Sequence, residues 1–255
     1  MDLKTKKRLK YKKTGLAFPF TLSAIYFNLL FLKNNNMDKE ILEDYLKPGK
    51  FTDSDAEIVI NFTQQKTKGI IDPLQKAIKL YYAVRDGFAY NPFRIDLRPD
   101  ALKASNLLSR NYGYCVEKAN LLAAVARAAG IPSRLGFAQV RNHLGAVRLE
   151  KILRTDLLVF HGYTELYLNS KWVKATPAFN KTLCQRLKVK PLEFDGKTDS
   201  LFQQMTPNGK KFMEYVYDYG QFQDVPYDLY VSELHKYYPH MFEEKVLTGD
   251  EYFIY

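Results

Sequence analysis

Apolar and polar positions change their spacing once along this chain, from helical before Pro132 to mostly alternating after it. Asp72 and Pro73 precede Leu74, Ala77, Ile78, Tyr81, Tyr82 and Val84, an i, i+3, i+4, i+7 stripe. That order predicts a helix with aspartate at its N-cap and proline at its first position. Aromatic pairs at helical spacing pack in cores far more often than they stack ligands, so Tyr81 and Tyr82 are expected to be core. Upstream, Asp38 to Lys47 reads as a short helix closed by Pro48-Gly49, and Asp53 is expected to cap a second one with Ile58, Ile60 and Phe62 as its apolar residues. Asn91 to Pro99 reads as an irregular connection, after which Asp100 is expected to cap a helix over Ala101 to Ser109. Glu117 to Ala129 is dense in Ala and Leu, and Arg127 is the one charge from Leu121 onward, so a helix buried on most sides is predicted there. Gly130-Ile131-Pro132 ends it.

Beyond Pro132 the period becomes two. Arg134 to Val140 alternates as a strand does, and Phe160 to Leu168 and Lys171 to Ala175 predict a hairpin across Asn169-Ser170. The connection from Asn142 to Leu158 holds room for a short helix near Leu149 to Leu153 and is a candidate cleft wall. Asn180 to Leu187 reads as helix, Phe212 to Tyr219 as strand, and Pro226 to Tyr238 as helix. Helices first and an antiparallel sheet afterwards give the α+β class.

Composition adds little until the charge is divided along the chain. The 255 residues are 46% hydrophobic, enough for one sizeable core, and carry a net charge of +10. Residues 1–36 hold eight basic side chains against Asp2, which leaves only +3 for all the rest. The body is therefore nearly balanced, with no basic stripe or module for nucleic acid. Two cysteines, Cys115 and Cys184, make no disulfide framework, and they form no metal-ligand spacing with the four histidines. No glycine-rich nucleotide loop is present, so neither cofactor nor metal is expected.

Gly15 to Leu32 is a run of 18 mostly apolar residues, roughly 27 Å as a helix and close to a bilayer's hydrocarbon thickness. Two readings follow. The run is a signal anchor, or the working protein starts at Met37 and residues 1–36 are an extension outside it. Pro19 and Asn28 interrupt the run, and free cysteines suit a reducing compartment, so the second is favoured: a single domain over 37–255 in the cytoplasm. A membrane-anchored enzyme, held through residues 15–32, is the alternative.

Candidate chemistry centres on Cys115, which follows Tyr112-Gly113-Tyr114 and stands in the first turn of the Ala-rich helix. Unpaired N–H groups and the helix dipole favour a thiolate there, so a lowered thiol pKa is expected. His161 begins a strand 46 residues later and is the candidate base; His143, His235 and His240 lack such a setting and are expected on surfaces. Backbone N–H groups near Cys115 are candidates for part of an oxyanion hole.

The segments Ala104-Ser105-Asn106-Leu107-Leu108, Gly113-Tyr114-Cys115, Lys118-Ala119-Asn120-Leu121-Leu122 and Ala128 to Arg134 resemble the cysteine segment of the transglutaminase-like superfamily. His161-Gly162-Tyr163-Thr164-Glu165-Leu166-Tyr167-Leu168, followed by Lys171-Trp172-Val173, is similar to that family's histidine strand and its partner strand. The resemblance covers about a third of the chain, from Ala101 to Asn180. It implies a papain-like fold with the cysteine at the start of a central helix packed on an antiparallel sheet. It also implies a Cys–His enzyme that acts on amide bonds of peptides or proteins through an acyl-enzyme, ending in hydrolysis or transamidation. The chain departs from the family where the strand after the histidine usually ends in Asp-Pro, because Thr176 precedes Pro177 here. Thr176 is one candidate to orient His161, and Asn180, with a stronger acceptor oxygen, is the other. A catalytically degenerate domain that binds peptide or protein partners is the competing functional class, favoured by the missing acid.

Overall fold

The structure, a computed structural model, describes residues 42–143, 147–202, 212–243 and 252–255. The N-terminal extension, the boundary expected after residue 36 and the first residues of the helix expected from Asp38 lie outside that set.

The described chain begins with helical residues 42–44, and two full helices follow, α1 (Glu57–Lys66) and α2 (Pro73–Gly87). Asp72 caps α2 as its sequence dictates, accepting from the backbone N–H of Leu74 and Gln75. The first helix departs from its expected form. Asp53 does not cap it but reaches across to accept from the N–H and hydroxyl of Ser105, and the buried residues of α1 are Val59 and Thr63, while Ile58 faces solvent. Val59 is seated on the core with Phe62 packed half-buried beside it, and the two isoleucines that flank Val59 mislead.

Next come β1 (Ala89–Tyr90), β2 (Arg94–Asp96), a 3-10 turn over Pro99–Leu102, α3 (Ala104–Leu107), β3 (Tyr112–Gly113) and α4 (Cys115–Ala128). The helix expected from Ala101 to Ser109 is thus broken in two at Lys103, whose backbone is extended, and Asp100 pairs with the Lys103 side chain instead of capping. α4 is the core of the molecule. Every residue from Val116 to Arg127 is buried, because the helix is covered by α1, α2 and α3 as well as by the sheet.

The remaining elements are β4 (Ser133–Asn142), α5 (Val147–Leu153), β5 (Leu157–Leu168), β6 (Lys171–Ala175), α6 (Lys181–Leu187), β7 (Met213–Phe222), α7 (Tyr227–Tyr237), α8 (His240–Glu243) and β8 (Tyr252–Ile254). Strands β6-β5-β4-β7 form one antiparallel sheet, as the alternation predicts. Asn169 and Ser170, both at positive φ, make the tight turn between β5 and β6. Two short parallel pairs, β1 with β3 and β2 with β8, staple the irregular connection that follows α2.

The sheet is locally irregular at one place of consequence. Ala138 pairs with His161 but Val140 pairs with Leu158, so β5 carries an extra residue there. Phe160 absorbs it with φ of 60°, an uncommon conformation for an aromatic residue. The bulge therefore lies immediately before His161.

Candidate active site

Cys115 is the first residue of α4 and His161 follows the β5 bulge; both side chains line a cavity of about 70 Å³ together with Tyr90, Tyr114, Tyr230 and Tyr238. Gly162 brings strand and helix together. A Cβ at this position would stand 3.0 Å from the Val116 Cα and 3.3 Å from the Cys115 carbonyl oxygen, so any other residue would push helix and strand apart by a few tenths of an ångström. Its backbone N–H, with those of Val116 and of Cys115 itself, lies near enough to the Cys115 thiol to favour the charged form. An isolated glycine inside an alternating strand was the sequence signal for that contact.

The electrostatics differ from the expectation of a lowered thiol pKa. Burial pushes the Cys115 thiol up to about 11, outweighing the three backbone N–H groups that favour thiolate, and the Glu117 carboxylate adds a small push in the same direction. Part of the residue's surface stays open to the cavity, and any polar occupant would relieve that cost. The hydroxyl of Tyr90 interacts with the thiol, and Tyr90 is itself held neutral, chiefly by burial. His161 shows the mirror image: burial lowers it to about 4. Both ring nitrogens are buried without a hydrogen-bond partner, and the ring lies edge-on to Phe202 with centroids 5.0 Å apart. Thiol and imidazole thus share a cavity as two neutral groups, with no hydrogen bond between them.

The two residues expected to orient His161 are placed differently from one another. Asn180 is committed elsewhere: its side-chain oxygen accepts from the Tyr90 N–H at 2.9 Å and its amide nitrogen donates to the Thr182 hydroxyl at 2.5 Å. It ties β1 to the start of α6 and makes no bond to His161. Thr176 stands one pair beyond the Thr164–Ala175 pairing of β5 and β6, across from Tyr163 and hence on the sheet face of His161. Its hydroxyl is buried and, like the imidazole, without a partner. The Tyr215 hydroxyl approaches it without good hydrogen-bond geometry; burial pushes that phenol up to about 12, and the Phe202 backbone and the Thr176 hydroxyl draw it back only in part. Unpaired buried polar groups are rare, and here His161 and Thr176 carry them on one face of the sheet.

Lys118, one turn after Cys115, has no exposure at all. Its ammonium donates to the carbonyl oxygens of Arg85, Phe88 and Ala178 at 2.9, 2.7 and 2.8 Å, using all three N–H groups. Burial pulls its pKa down to about 7, whereas three carbonyls converging on one nitrogen are the surroundings an ammonium requires; the geometry argues for the charged form. Nothing in the local sequence marks the lysine of an apolar helix as a buried cation, because its three acceptors come from other segments. Glu117 is also buried, pushed up to about 7 by desolvation and drawn back by Arg110, with which it is ion-paired, and by the N–H of Tyr114.

Of the other histidines, His240 corrects its surface expectation. It is buried, with Nε2 bonded to the Ile152 carbonyl at 2.7 Å, because α8 packs back on the end of α5. His143 pairs with Glu214, and His235 stacks on Phe242. Cys184 is buried and free. Among the described residues, no group of three or more His, Cys, Asp or Glu side chains is set to hold a metal ion, and no helix is long and apolar enough to cross a membrane.

Residues 60–177 match the model of the Transglutaminase-like superfamily. No curated protein is significantly similar to the chain. Two solved structures are similar over about half of it: a proposed cysteine protease from Cytophaga hutchinsonii, at 18% identity and a TM-score of 0.41 over 52% of this chain, and a proposed protease from Parabacteroides distasonis, at 16% identity and a TM-score of 0.34 over 50%. The aligned part spans 40% and 26% of those two chains.

Proposed function

We infer that the transglutaminase-like core of residues 60–177 works as a cysteine enzyme on amide bonds, with Cys115 as nucleophile and His161 as its base. One observation carries the reading: the first residue of a central helix and a bulge-positioned histidine open onto one cavity, with three backbone N–H groups near enough to the sulfur to favour its charge. The resting pair is neutral, so the proton moves only in the presence of substrate. Sulfur attacks the amide carbonyl as the thiol proton passes to imidazole; the N–H of Cys115 and that of Gly162 receive the developing oxyanion. Collapse breaks the C–N bond, and the amine leaves with the proton held by His161. Water, or a second amine, then attacks the thioester with imidazole as base, and the thiol is restored. Peptide or protein amides are the substrate class this reading takes.

A second reading is favoured by a specific observation, the imidazole without an orienting partner. In it the cavity binds peptides or proteins without turnover. Mass spectrometry after incubation with an acyl donor separates the two: an acyl adduct on Cys115 that forms in the wild type and is absent in His161→Ala supports the enzyme. No adduct with any donor, at any pH up to 9, would sink it.

A further inference from the structure

A second cavity, of about 530 Å³, adjoins the first and is several times its size. The two share Tyr90, Pro92, Leu149 and Leu158 as common walls, so the larger space begins where the cavity of Cys115 and His161 ends. Its far walls are Phe93, Phe179, Leu183, Leu187 and Met213. Among the described lining residues the charged one is Arg148, which lies over the Phe93 ring at 4.9 Å. At the rim, Val147 and Leu187 are large apolar side chains left open to solvent, 58% and 41% exposed. A volume in the range of small-molecule sites, apolar walls, a few polar edges and exposed rim hydrophobics are the features of a ligand pocket.

We propose that this cavity holds an extended apolar group on the acyl side of the substrate, so that the carbonyl at Cys115 carries a hydrocarbon-like chain. The proposal rests on the amide-cleaving reading for the location of that carbonyl and goes beyond it in naming what is attached. The argument is one of desolvation. A peptide backbone lying inside walls such as Phe179, Leu183 and Met213 would leave its N–H and C=O groups unpaired, at a cost of a sizeable factor in affinity for each, whereas a chain or ring without polar atoms loses nothing. Tyr90 is the partition: its ring packs on Phe179 at 4.8 Å while its hydroxyl meets the thiol, so one side chain touches both the nucleophile and the chain-binding wall. Two sources share this chemistry, a fatty acyl group and the bulky apolar side chains that precede a scissile peptide bond.

The test uses the full chain carrying Cys115→Ser, which cannot form a thioester, so binding is read without turnover. Saturated fatty acids of 6 to 14 carbons are titrated in competition with the fluorescent probe 11-(dansylamino)undecanoic acid. Affinity should rise by about a factor of three to four per added methylene until the cavity fills. Leu183→Trp, which fills the space, and Leu187→Arg, at the exposed rim, should each weaken the probe at least tenfold while circular dichroism and melting midpoint stay near those of the parent. A chain-length slope near zero, or tight binding unchanged in both variants, overturns the proposal. Wild-type acylation by acyl thioesters of the same lengths and by Leu- or Phe-containing peptide esters then identifies the source. Chain binding without acylation retains the pocket and removes the enzyme; acylation equally fast with acetyl and dodecanoyl donors does the reverse.

Discussion

Alkylation of Cys115 offers the sharpest test of the resting site, because the structure gives a thiol near 11 where helix position alone gives one below 8.5. The perturbation is pH, applied to a Cys184→Ala background so that one thiol remains. At pH 7 a group with pKa of about 11 is thiolate in about one molecule in ten thousand, against about three in a hundred for free cysteine, so iodoacetamide should react roughly 300-fold more slowly than with a free thiol. The logarithm of the rate should climb by about one per pH unit to near pH 10 without a plateau. His161→Ala should leave the resting profile within about twofold, since no hydrogen bond links the ring to the sulfur. Rates are read by stopped alkylation and intact-mass spectrometry. A plateau below pH 8 that disappears in His161→Ala would reveal a preformed thiolate–imidazolium pair and refute the neutral site.

Three further outcomes follow from the same region. His161 stays neutral in the folded chain down to about pH 4 but titrates near 6.5 when unfolded, so stability should fall as pH drops from about 6.5 to 4, by up to about 3 kcal/mol; urea midpoints of His161→Leu should be flatter across that window, and parallel curves would exclude the effect. Lys118→Met strips the donor from three buried carbonyls and should lower stability by about 3 kcal/mol, visible as a lower melting midpoint; an unchanged midpoint would mean the ammonium's burial costs as much as its bonds return. Asn180→Ala should cost about 1 kcal/mol through the orphaned Tyr90 N–H and leave Cys115 alkylation as it was, whereas a changed alkylation profile would restore Asn180 as a partner of the histidine.

Much of the architecture is legible because it rests on period and punctuation. The Asp72-Pro73 start, the buried Ala-rich helix with Cys115 at its head and the Asn169-Ser170 hairpin all follow from local chemistry that tertiary contacts do not override. The failures share a cause. Asp53 and Lys118 spend their polar groups, and Asn180 its side-chain oxygen, on partners between 30 and 90 residues away, and no local pattern encodes such partners. Asp53 and Asn180 were read as caps or orienters because the nearest element is the one visible in sequence. The thiol pKa follows the same rule: helix position is local and visible in sequence, while the burial by Tyr90, Tyr230 and Tyr238 that outweighs it is assembled from distant segments.

The Lys118 bolt bears on the order in which the molecule is built. Its three acceptors lie 33, 30 and 60 residues away along the chain, on the end of α2 and on the segment after β6. Closing such long loops precedes any return from the contacts they make, so these bonds belong to the late, slow part of folding. A chain emerging from the ribosome carries its cysteine long before Ala178 exists to complete the cradle. The nucleophile's surroundings are therefore finished only when the whole of the sheet has arrived, and partial chains hold a thiol without a site.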